Sequence, residues 1–81
     1  MGKIKPISKF KADVKEGDLV RIITPINHET VGYFNQIDVN KRNYHAVYLT
    51  SDYPIQKDFN LTMIGYEEDS TAQYEIIRRR K

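Results

Sequence analysis

Two runs of alternating residues, Thr30 to Val39 and Tyr44 to Thr50, joined by a short polar turn, constrain this chain more than any other feature. Side chains on a β-strand point to opposite faces of the sheet in turn. In the first run Val31, Tyr33, Ile37 and Val39 share one face with Asn35, and Gly32, Phe34, Gln36 and Asp38 share the other. In the second run Val47 and Leu49 fall with His45, and Tyr44, Ala46 and Tyr48 fall opposite. Val39 to Tyr44 reads as the hairpin turn, because its Asn40 and Asn43 tolerate the positive φ that tight hairpins require. On this reading the Val31 and Val47 faces meet an apolar interior.

The remaining elements are short. Leu19 to Ile23 is β-branched and follows a turn signal, Lys15-Glu16-Gly17-Asp18, and Pro25 ends it. Ser51 to Pro54 is a turn. Phe59 to Tyr66 fits two patterns: Leu61 and Ile64 have helical spacing, whereas Thr62, Ile64 and Tyr66 alternate, and the strand is favoured. Ala72 to Ile77 forms a last strand. Residues 1–12 lack a clean period, and Pro6 breaks a helix, so they read as a basic arm with room for one short strand near Ile4 to Phe10. Eighty-one residues hold one domain. The expected fold is mainly β, a five-stranded small barrel over residues 13–77, with an arm before it and a basic tail, 78–81, after it. A barrel is preferred to an open sheet because closure removes sticky edges.

Composition excludes several functions. With no cysteine, disulfides and thiolate metal sites are absent. No stretch has the roughly 18 apolar residues of a membrane span, and the lysines of the arm have no apolar segment behind them as a secretory signal would. A cytoplasmic location is the default expectation. Ser8, Ser51 and Ser70 lie in turns or the arm, outside any nucleophile motif. His28 and His45 lie far apart without metal-ligand spacing. The four glycines are isolated, so none forms a phosphate-cradling loop. Glu67 and Glu68 read as part of a solvated acidic turn, Glu67 to Ser70, and neighbours on a strand would point apart. The expectation is a protein that is not an enzyme and has no cofactor, metal or small-molecule substrate.

The run Gly17-Asp18-Leu19-Val20-Arg21-Ile22, followed by Val31-Gly32-Tyr33-Phe34-Asn35-Gln36-Ile37, resembles the opening of SH3-like barrels of the KOW and Tudor-like kind, over about residues 15–50. In that pattern a Gly-Asp pair leads strand one and a second glycine starts a long strand two. The resemblance implies the SH3-like barrel, with first and last strands as neighbours, and a binding role. KOW domains bind RNA or ribosomal and polymerase partners, and Tudor-like ones bind peptides through an aromatic cage. The first loop here, Thr24 to Glu29, lacks the basic, glycine-rich character of a nucleic-acid-binding KOW loop.

Charge and aromatic residues suggest two binding surfaces. Lys3, Lys5, Lys9 and Lys11 stand at one end without an acid, and Arg78, Arg79, Arg80 and Lys81 at the other. The body between them has five bases against eleven acids, a net of −6, although the whole chain is +2. Converging ends would attract phosphate backbones without reading sequence; otherwise both are solvated tails. The second surface is aromatic: Phe34, Tyr44 and Tyr48, with Tyr53 in the next loop, could stack bases or hold an extended peptide, or pack under the arm or the 51–58 loop as a second small core. The acids Asp38, Asp52 and Glu29 nearby would repel phosphates. A protein or peptide partner on the aromatic surface is therefore preferred, with nucleic acid on the basic ends as the alternative.

Overall fold

The computed structural model describes residues 3–25, 28–39, 42–52 and 61–80. Strand β1 (Lys5–Pro6) leads into a 3-10 turn (Ile7–Lys9) and a short helix α1 (Phe10–Asp13). Strands β2 (Leu19–Ile23), β3 (Glu29–Val39), β4 (Tyr44–Thr50), β5 (Thr62–Glu67) and β6 (Gln73–Arg78) follow. All pair antiparallel in one six-stranded sheet of order β1-β6-β2-β3-β4-β5. The expected five-stranded closed barrel is thus an open six-stranded sheet: among the described residues no ladder joins β5 to β1 or β6.

The sheet nevertheless curls, and the N-terminal segment fills it. Phe10 is fully buried. Its ring packs edge-on against Phe34 at 5.5 Å, Tyr74 at 5.1 Å and Tyr66 at 6.3 Å between centroids. Tyr66 lies on edge strand β5 and Tyr74 on β6, at opposite sides of the strand order, so one side chain spans the gap that hydrogen bonds leave open. Ile7, Phe10 and Val14 are all buried at helical spacing (i, i+3, i+7). Pro6 cannot donate to a ladder, which fits a β1 of two residues. The next amide, Ile7 N–H, donates to the Ala72 carbonyl at 3.0 Å. Residues 1–12, expected as an arm, therefore include part of the core.

Strict alternation fails on β3. Phe34 pairs with Leu49, but Gln36 pairs with Tyr48, so Asn35 is an extra residue opposite no partner, a β-bulge. The bulge switches the inward parity: Gly32 and Phe34 face the interior before it, and Ile37 packs there after it. Val31 is consequently 55% exposed, and Phe34, expected on the outer aromatic surface, is 7% exposed in the core. Val39 shares the inner side with its partner His45, yet lies at the strand end and is 58% exposed. On β4 no bulge intervenes, and His45, Val47 and Leu49 are buried as one face.

The Gly17-Asp18 pair has a clear physical role. Asp18 N–H donates to the Lys15 carbonyl at 3.0 Å, closing a turn in which Gly17 takes φ 94°, the conformation of the third residue of a type II turn. The buried Asp18 carboxylate then accepts from Lys15 N–H at 2.9 Å and from Arg80 N–H at 2.8 Å.

Candidate functional site

The basic ends do meet, because β1 pairs with β6, and three of the charges, on Lys5, Lys11 and Arg79, are answered by acids of the body. Asp13 binds Lys5 at 2.8 Å and Arg79 at 2.8 Å and accepts from the Tyr74 hydroxyl at 2.6 Å. Arg79 also reaches Asp18 at 3.1 Å. Lys11 pairs with Glu68 at 3.1 Å, and Arg78 donates to the Tyr33 hydroxyl at 2.9 Å. The Arg80 backbone is held by Asp18, while Lys3 and Lys9 are exposed. Lys81 lies outside the described residues. A hollow of about 460 Å³ beside Lys5, Ser8, Lys9, Ala12 and Asp13 has its Lys5 and Asp13 charges paired with each other. The anchors Asp13 and Asp18 were hidden in the sequence among eleven acids.

Asp13 makes the fold pH-sensitive. Lys5, the Tyr74 hydroxyl and Arg79 hold its carboxyl well below the usual carboxylate range. A carboxyl that ionises more readily in the fold adds stability above its unfolded value, and that stability is lost as pH falls through and below it. The urea midpoint should hold steady from pH 7 to pH 5 and drop below about pH 4, the unfolded carboxylate value. Asp13→Asn should lower the midpoint at pH 7 and flatten that drop.

The outer face of β3-β4-β5 is different in character. From β4, Tyr44, Ala46 and Tyr48 point outward, and from β5, Met63, Gly65 and Glu67 do. Past the bulge β3 adds Gln36 and Asp38. Register sets them in three rows across the sheet: Gln36-Tyr48-Met63, Asp38-Ala46-Gly65, and Tyr44-Glu67. Tyr44 is 50% exposed and Met63 60%, with Tyr48 half-buried between its neighbours. Asn43, at φ 69°, takes the left-handed conformation that brings the chain into β4. Tyr53 lies outside the described residues.

Tyr44 leans diagonally onto β5. A Cβ on Gly65 would collide with the Tyr44 hydroxyl, so the glycine leaves the space that the phenol occupies. A glycine inside a strand pattern is the sequence signal for such a close approach. Beside this contact lies a cavity of about 190 Å³, lined by Thr24, Pro25, Tyr44, Gly65, Tyr66, Glu67, Ser70 and Ala72.

Beneath the face, His45 Nε2 lies 3.3 Å from Glu68 Oε2. Lys11 and then His45 lower the Glu68 carboxyl, and burial, aided by Glu68, pushes the Tyr66 phenol up to about 12. Among the described residues no group of three or more His, Cys, Asp or Glu side chains is placed to hold a metal ion. No helix among them is long and apolar enough to cross a membrane. No family model, curated protein or solved structure matches this chain.

Proposed function

We propose that the chain is a non-catalytic interaction module of the SH3-like kind that binds a protein or peptide partner through the outer face around Tyr44 and Tyr48. The observation that carries the reading is the exposure of Tyr44 and Met63 on one face, two strands wide, with small residues between them. Exposed apolar patches on small proteins mark interaction sites. Asp38 and Glu67 rim the patch and disfavour phosphates. The SH3-like part is supported by the neighbouring first long strand and last strand, β2 and β6, and by the Gly17-Asp18 turn. The nucleic-acid alternative loses support from the pairing of Lys5, Lys11 and Arg79 with acids of the body.

The double variant Tyr44→Ala, Tyr48→Ala tests the reading. It should stay folded, because both side chains lie on the outer face, and lose at least about tenfold in partner affinity, as expected when aromatic anchors are removed. Capture of the same partners from lysate at the same yield would reject it.

A further inference from the structure

We propose that the cavity beside Tyr44 and Glu67 takes one basic side chain, an arginine or lysine, of an extended peptide lying across β4 and β5. This rests on the peptide-binding reading and names the chemistry of the partner.

Charge complementarity is the first support. Asp13, Asp18, Glu29, Glu68 and Glu75 each pair with a cation of the chain: Lys5 or Arg79, Arg79, Arg21, Lys11 and Arg21 respectively. Glu67, which lines the cavity, makes no ion pair with any described residue, and neither does Asp38 on the same face. Glu16, Asp52 and Asp69 likewise make no ion pair with any described residue, but of these carboxylates Glu67 alone lines the cavity.

The walls suit a long basic side chain. Tyr44, resting over Gly65, offers an aromatic ring against which a cation is attracted. Pro25 and Ala72 supply apolar surface for the aliphatic stem, while Glu67 answers the charged head. Tyr66 also lines the cavity, and its hydroxyl is buried with no hydrogen-bond partner.

Peptide titrations followed by amide chemical shifts test the inference. The probes are acetyl-TVRVT-amide and the same peptide with lysine, valine or glutamate at the centre. The arginine and lysine peptides should shift the amides of Thr24, Gly65, Glu67 and Ala72 and bind about tenfold tighter than the valine peptide, the scale of one buried charged contact. The glutamate peptide should leave these amides unmoved. Glu67→Gln should weaken the arginine peptide about fivefold without changing the dispersion of the free spectrum. Equal affinity for arginine and valine peptides, or an arginine peptide indifferent to Glu67→Gln, would overturn the inference. If the valine peptide binds and the Tyr44, Tyr48 double variant abolishes it, the peptide-binding face stands and only the basic pocket falls. If no peptide moves an amide of β4 or β5 at millimolar concentration, both fall.

Discussion

Phe10→Ala should destabilise the domain by about 3–5 kcal/mol, the usual cost of truncating a buried phenylalanine. The ring is fully buried and touches three other aromatic rings on β3, β5 and β6. Removing it leaves a void among rings carried by three separate strands. Small domains have total stabilities near the low end of about 5–15 kcal/mol, so this one change should leave a large unfolded fraction at 37 °C. Urea unfolding followed by tyrosine fluorescence measures it. Val31→Ala is the control: strict alternation would bury Val31, but the bulge exposes it, so its cost should stay within about 0.5 kcal/mol. A Phe10→Ala protein as stable as Val31→Ala would show that the N-terminal segment does not fill the sheet.

Asp18→Ala should cost about 2–6 kcal/mol, from two backbone donors left without an acceptor at about 1–3 kcal/mol each. The donors are Lys15 N–H before β2 and Arg80 N–H after β6, and the Arg79 guanidinium loses a partner as well. Amide hydrogen exchange gives a sharper signature than the midpoint alone. Protection at Arg80 should disappear first, while the β3-β4 ladder keeps its own protection relative to global unfolding. Asp18→Asn should recover part of the loss, because its amide oxygen can still accept one of the two bonds.

Strand positions were legible because β-branched and aromatic residues mark them. The expected Leu19–Ile23 and Tyr44–Thr50 coincide with β2 and β4. The ambiguous Phe59–Tyr66 segment overlaps β5, Thr62–Glu67, as its alternating residues suggest. The β3 faces were not legible, since nothing about Asn35 distinguishes a bulged residue from a paired one, and one extra residue reverses every side chain before it. That reversal removed Phe34 from the aromatic surface and left Tyr44 and Tyr48, which sit on an unbulged strand. The burial of Ile7, Phe10 and Val14 did have a signal in their three- and four-residue spacing, masked by the four lysines around them. Pairing of Lys5 with Asp13 and of Lys11 with Glu68 depends on the fold bringing separated residues together, which no local pattern encodes.

The side chain that fills the curled sheet is made early, and two of its aromatic seats, Tyr66 and Tyr74, are made late. On the ribosome Phe10 must therefore wait, exposed, until more than sixty further residues have been added. Such a domain completes its interior only once β6 has left the ribosome, and until then its nascent chain offers chaperones an aromatic handle.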